Sequence, residues 1–330
     1  MSESNKSAAE IRKGDLPILC ISESEVMGLL DPKELIEGLV QGFIALSQGK
    51  VQSPERPEIT VPGKGFSLAM PAWVPGMNIS VKVVNVYEGN LAIDLPNHLA
   101  TITLYDPDTG RVLCIMDGTF ITGIRTAASA MVSVKALARE DAKVATVVGA
   151  GVQGREHLHL LPLVRDFDEI RVASLHYEDA EKLAAQHPKA VAINNVEEAV
   201  RSSDVVCLGS HAYTPVIQAN WVTPGTHVSS VGYAPPAGEL PVELARDCSL
   251  FVETLEAFEA PPVGCGELSG LDPQTAIPLG DVLSGARIGR NSNDQITVYK
   301  AMGIAMEDMV AANITYNKAI STNVGLEVAL

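Results

Sequence analysis

The spacing of hydrophobic and polar positions changes character several times along the chain. Residues 22–30 and 32–48 read as two helices. Ser22 and Asp31 stand as N-caps, Glu25 is in capping-box position after Ser22, and Pro32 takes the first helical position. The pattern then becomes strand-like over 66–71, 79–86 and 100–106. Pro75-Gly76 and an Asp106-Pro-Asp-Thr-Gly110 turn punctuate these segments, and 111–116 completes a last hairpin. This predicts an antiparallel meander. A long helix of small residues over 122–138 leads directly into the Val144-Ala-Thr-Val-Val148 strand. From there strands (170–175, 190–193, 204–209, 227–232, 250–253) alternate with helices (177–186, 196–201), the pattern of a doubly wound parallel sheet. Residues 294–318, with apolar Ile296, Val298, Met302, Ile304, Met309 and Val310, read as one long helix that packs back on the first domain.

Val148 runs straight into Gly149-Ala-Gly151-Val152-Gln153-Gly154. Gly149 permits a tight turn, Gly151 lets the backbone approach a pyrophosphate, and Gly154 lets the next helix lie close on the strand. That helix, from Gln153 to about Val164, points free N–H groups and a positive dipole end at the phosphates. The strand before and the helical pattern after make this a dinucleotide cradle rather than a lone glycine turn.

Composition narrows the class. Among 330 residues 46% are apolar but only 5% aromatic, so the core is built from Val, Ile, Leu and Ala, as in a sheet buried on both faces. The length suggests about two domains. Twenty-four basic against 40 acidic side chains give a formal charge of −16, which argues against nucleic acid and anionic membrane as partners. The five cysteines are dispersed and form no C-x-x-C pair, so no metal site is expected and reduced thiols in the cytoplasm are the plain reading. No apolar run reaches the length of a bilayer span.

NAD enzymes carry an acid at the end of the second strand, for the ribose 2′-hydroxyl. Here Ser174 and His176 stand there, and Asp166, Asp168 and Glu169 precede the strand. The missing acid removes a barrier to a 2′-phosphate, so the cofactor is NADP or NAD with NADP preferred. Ser174 and His176 are either donors to that phosphate or solvated loop residues. The fourth-strand exit, with Gly209 and Ser210, is placed for the nicotinamide ribose, and Val231-Gly232 for the nicotinamide. Cys207 in that strand reads as core.

Three basic residues sit where surface charge alone does not explain them. Arg56 lies between Pro54 and Pro57, Lys82 within Ile-Ser-Val-Lys-Val-Val, and Arg125 at the start of the Ala-rich helix. A cation in apolar surroundings is either paired or awaiting an anion.

Several segments together resemble the ornithine cyclodeaminase/μ-crystallin family. They are Val81-Lys82-Val-Val-Asn-Val-Tyr-Glu-Gly89-Asn90, Pro96-Asn-His98-Leu-Ala-Thr-Ile-Thr-Leu-Tyr-Asp106-Pro-Asp-Thr-Gly110, and Met116-Asp117-Gly118-Thr-Phe-Ile-Thr122-Gly-Ile-Arg125-Thr126-Ala127-Ala128. The glycine turn and Tyr299-Lys-Ala-Met-Gly303-Ile-Ala-Met-Glu307-Asp308 follow in the same order, so the likeness covers essentially the whole chain. It implies an α/β fold: a Rossmann-type doubly wound sheet over 136–305, plus a smaller α/β substrate-binding and dimerisation domain from 1–135 and 306–330. It further implies a homodimer and a small imino- or amino-acid substrate. Arg56 and Arg125 would hold its carboxylate, Lys82 would serve carboxylate or proton transfer, and Thr126 would meet the cofactor phosphates at a helix N-terminus. His98 either touches substrate or is structural.

The sequence departs from the family at one informative place. Ornithine cyclodeaminases carry an Asp just after the Val-Gly by the nicotinamide, but here Val231-Gly232 continues as Tyr233-Ala234-Pro235. Glu239 matches instead the Glu-Leu that starts the family's next helix. This shifts the expected chemistry to NAD(P)H-dependent reduction of an α-imino acid, such as a ketimine or pyrroline- or piperideine-2-carboxylate. Ornithine cyclodeamination with Glu239 or Asp308 substituting, an alanine dehydrogenase-like reaction, and a non-enzymatic binding protein are the alternatives. A second departure is Leu99 where the family has Gln.

Overall fold

The computed structural model describes residues 16–261 and 263–329. Its strands are β1 (Pro17–Ile21), β2 (Glu58–Val61), β3 (Gly65–Ala72), β4 (Ile79–Val86), β5 (His98–Tyr105), β6 (Val112–Asp117), β7 (Val144–Val148), β8 (Glu169–Ala173), β9 (Ala190–Ala192), β10 (Val205–Leu208), β11 (His227–Ser230), β12 (Ser249–Val252), β13 (Ile277–Pro278), β14 (Thr297–Lys300) and β15 (Leu326–Ala329). The chain groups into two compact units. Among the described residues one comprises 16–31, Gln52–Thr122 and 308–329; the other comprises Pro32–Val51 and the described part of Gly123–Glu307.

In the first unit the sheet order is β15-β1-β6-β5-β4-β3-β2. From β2 to β6 every neighbour pairs antiparallel, the expected meander. β1 joins parallel to β6, and β15 closes the edge. The two-residue period sorts the side chains: Leu68, Met70, Val84, Ala100, Ile102, Leu104, Cys114 and Met116 are buried on one face. Lys82 belongs to that face, in register between Met70 and Ile102. Its lone charge in an apolar layer therefore needs a partner. Upstream, helix Glu23–Leu29 carries the capping box that Ser22 and Glu25 predict.

In the second unit the sheet order is β13-β12-β14-β11-β10-β7-β8-β9, all parallel. Strand order reverses between β7 and β10, the switch point outside which α/β sheets bind ligands. Every residue of β10, β11 and β14 is buried, as a sheet covered on both faces requires.

Two predicted elements are corrected. Residues 294–318 do not form one helix: Thr297–Lys300 is β14, inserted between β11 and β12, and the helix is Ala305–Thr322. A short, wholly buried run has no polar face to reveal its period, and Gly303 at φ +76° separates the two elements. The helix predicted to start at Thr122 starts at Thr119 and runs to Leu137. Arg125 and Thr126 therefore lie well inside it. Thr126 is not at a helix N-terminus.

Candidate active site

The glycine turn has the packing its residue types call for. Gly149 sits at φ +116°, and a Cβ on it would lie 2.6 Å from the Gly209 carbonyl oxygen. A Cβ on Gly154 would fall against the Gly149 carbonyl. These two glycines let β7, β10 and the following helix come together. Gly151 differs: a Cβ there meets nothing within 4 Å. It caps helix Val152–Val164, so the N–H groups of Val152, Gln153 and Gly154 stand at a helix N-terminus beside open space. A cavity of about 280 Å³ opens there, lined by Gly151, Val152, Arg155, Asp179 and Lys182 among others, with Lys182 paired to Asp179 at 3.2 Å. The open space and the helix N-terminus suit an anionic pyrophosphate. Arg155 and Lys182 escaped the sequence reading because neither lies in a glycine motif. Ser174, half-buried, and His176, exposed, follow β8, with His176 at the N-cap of helix Tyr177–Ala184.

At the exits of β10 and β11 one buried acid ties the chain together. Glu239 accepts from the Ser210 N–H (2.7 Å), the Ser210 hydroxyl (2.7 Å), the Ser230 hydroxyl (2.9 Å) and the Gly232 N–H (2.7 Å). Gly209 is buried, Val231 and Gly232 are half-buried, and a Cβ on Gly232 would strike the Ser210 carbonyl. Glu239 lies in the loop before helix Val242–Asp247, not in its first turn. Lys300, at the end of β14, donates to the Gly232 carbonyl (2.8 Å) and pairs with Glu267 (2.7 Å). Cys207 is fully buried and its thiol is pushed up to about 12 by burial, so it is core and not a nucleophile.

Lys82 and Arg125 are buried like Lys300, and each meets an acid. In the first unit the Lys82 ammonium donates to Asp308 Oδ1 at 2.9 Å, and both side chains are sealed from solvent. In the second unit Arg125 Nη1 donates to Glu307 Oε2 at 2.7 Å. Buried ion pairs contribute little net stability because desolvation offsets the attraction, yet losing one partner strands the other. Glu307 and Asp308 are consecutive residues of helix Ala305–Thr322. Asp308 is one of the two carboxylates the sequence offers as a substitute in cyclodeamination, whereas nothing local singles out Glu307 among 40 acids. Arg56 is half-buried between its prolines, and His98 Nδ1 shares a 3.2 Å hydrogen bond with Asn97 Oδ1. Among the described residues no cluster of His, Cys, Asp and Glu is placed to hold a metal ion, and no helix is long and apolar enough to cross a membrane.

The sequence profile of the ornithine cyclodeaminase/mu-crystallin family matches residues 19–323. The chain belongs to that family. The mouse ketimine reductase mu-crystallin is 34% identical over 305 residues, covering 90% of this chain and 96% of the mouse protein. The alanine dehydrogenase of Archaeoglobus fulgidus is 30% identical over 319 residues, covering 94% and 98%. Among solved structures, Thermococcus litoralis Δ1-pyrroline-2-carboxylate reductase in complex with NADH and L-proline superimposes with a TM-score of 0.87 at 34% identity, covering 94% of this chain and 99% of that one. The Rossmann-type fold inferred from strand alternation is thus the fold of the family.

Proposed function

We propose that this protein is an NAD(P)H-dependent oxidoreductase that reduces the C=N bond of a small α-imino acid, a ketimine or pyrroline- or piperideine-2-carboxylate reductase. The observation that carries the proposal is a dinucleotide cradle in a chain that also buries Lys82 and Arg125, each hydrogen-bonded to a buried acid. The pyrroline-carboxylate reductase of T. litoralis, similar over nearly the whole chain, was solved with NADH and L-proline.

The cradle of Gly149, Gly151, Val152, Gln153 and Gly154 holds the pyrophosphate. Thr126, Ser174, His176, Gly209, Ser210, Val231 and Gly232 complete the cofactor set. Bound there, NADPH or NADH supplies the hydride that the imine carbon gains. Arg125 and Arg56 hold the substrate carboxylate by charge-assisted hydrogen bonds, with His98 at the substrate. Lys82 delivers the proton that the nitrogen gains, and Asp308 keeps its ammonium charged and oriented in an apolar layer. Positioning and charge account for most of the acceleration.

A cyclodeaminase needs a free carboxylate near the nicotinamide, and neither candidate substitute offers one. Glu239 accepts four hydrogen bonds, and Asp308 accepts from Lys82. A homodimer suits the outward face of the first unit's sheet, where Val83, Leu99 and Ile115 are 37%, 36% and 36% exposed. The five free thiols suit the reducing cytoplasm.

The test is a panel of cyclic and linear imino acids with NADPH and NADH, followed by loss of reduced-nicotinamide absorbance, beside ornithine with assay for ammonia. Consumption of a reduced cofactor with an imino acid is expected. No turnover of any imino acid, or ammonia from ornithine, overturns the proposal.

A further inference from the structure

Arg125 does not face Glu307 alone. Glu253, directly after β12, is 3% exposed, and Glu307 is fully buried. Glu253 Oε2 accepts the N–H groups of Met302 and Gly303, both at 2.9 Å, while Glu307 Oε2 accepts from Arg125. Among the described residues the Oε1 atom of each acid makes no hydrogen bond, and the Ser129 hydroxyl stands beside the Glu307 carboxyl. The two acids stand about one guanidinium: a Cβ on Gly303, whose N–H donates to Glu253, would fall against Arg125 Nη1, which itself donates to Glu307. Two buried acceptors without a donor between them leave a gap that a proton fills.

We propose that Glu253 and Glu307 share one proton, and that this shared charge governs how strongly Arg125 holds the substrate carboxylate. With one proton the pair carries a single negative charge opposite Arg125. Without it the pair carries two, and an incoming carboxylate enters a buried site that is one charge more negative. Burial and the Glu253 charge both push the Glu307 carboxyl well above the usual range, against the pull of Arg125. Among the described residues the titratable groups facing the pair are Arg125 on helix Thr119–Leu137 and Tyr299 on β14. Tyr299 hydrogen-bonds Ser129 (2.8 Å), and its phenol is itself pushed up by burial and by both acids, so it stays neutral. Glu253 and Glu307 are therefore positioning residues acting through Arg125. The second half of the inference rests on assigning Arg125 to the substrate carboxylate; the shared proton does not.

The test uses the full chain and the variants E253Q and E307Q. In E253Q the amide oxygen keeps the Met302 and Gly303 N–H groups, and the amide nitrogen donates to Glu307, replacing the shared proton. The wild-type infrared spectrum at neutral pH should hold a protonated carboxyl band that shifts in heavy water and vanishes in E253Q. For wild type, KM for the imino acid should rise about tenfold on the alkaline side as the pair loses its proton, one power of ten corresponding to about 1.4 kcal/mol. In E253Q KM should stay flat, with cofactor affinity unchanged. Absence of the difference band, or an unaltered alkaline rise in E253Q, overturns the proposal. Should E253Q not fold, E307Q must remove the same band. A band present in a protein that reduces no imino acid refutes the reaction and leaves the shared proton standing; turnover without the band does the reverse.

Discussion

Gly303 offers a sharp test of how Arg125 is held. It sits at φ +76° between β14 and helix Ala305–Thr322, and its N–H donates to Glu253. A Cβ placed there falls against Arg125 Nη1, and lies 2.9 Å from Nη2 and 3.1 Å from Cζ. A flexible surface arginine would swing aside, but this one is 5% exposed and held by Glu307. Gly303→Ala therefore has two consequences. The left-handed backbone costs an alanine about 1–2 kcal/mol. Displacing the guanidinium adds to that, up to the 3–5 kcal/mol or so of a broken buried pair. A group moved by about an ångström from its working position lowers turnover by roughly 100-fold. The expected outcome is a stability loss between about 1 and 7 kcal/mol by urea titration. It should come with a large fall in kcat/KM for the imino acid and near-normal NAD(P)H affinity by nicotinamide fluorescence. A variant with wild-type kcat/KM and stability would refute the idea that this glycine makes room for Arg125.

Three other outcomes follow from the same structure. Gly151→Ala should fold with wild-type stability, since open space surrounds that position, but weaken dinucleotide binding. Gly154→Ala should destabilise the fold itself, as its Cβ meets the Gly149 carbonyl; calorimetry and cofactor titration separate the two. Lys82→Met should abolish reduction and, by stranding Asp308, cost about 3–5 kcal/mol, part of which Lys82→Met with Asp308→Asn should return. An unchanged denaturation midpoint in Lys82→Met would contradict the buried pair. Burial lowers His157 to about 4 and His227 to about 3 from 6.5, so both fold as neutral rings. The unfolded chain binds the extra protons, so their contribution is intact above pH 6.5 and declines as pH falls toward 4 and 3, by up to about 1.4 kcal/mol per pH unit per histidine. His227→Gln should flatten that acid limb in a series of urea titrations.

What was legible in the sequence was whatever short-range chemistry states. The capping box at Ser22 and Glu25, the meander, the strands from Val144 to Val252 and the glycine cradle all depend on residues within a few positions of one another. Their periods and turn residues announce them. Lys82 and Arg125 stood out because a cation amid apolar neighbours breaks a local rule, and both prove to be buried and paired. Arg56 and His98, in less constrained positions, are only half-buried.

Long-range packing decided the rest. Thr297–Lys300 has β-branched and aromatic residues but too few positions to show a period, and it is a strand because β11 and β12 leave a place between them that its backbone groups fill. Glu253, Glu267 and Glu307 look in sequence like members of a solvated acidic surface, and Glu239, a candidate carboxylate there, gives no local sign of its burial. Each is buried, and its chemistry is set by partners tens or hundreds of positions away or, for Glu239, across the turn between strand exits. A charge reveals its environment only when the chain that surrounds it is in place, because desolvation and pairing are properties of the packed neighbourhood and not of the residue. So the sequence by itself determined the fold class, the dinucleotide cradle and the candidate cations, and the tertiary structure alone decided which acids answer them.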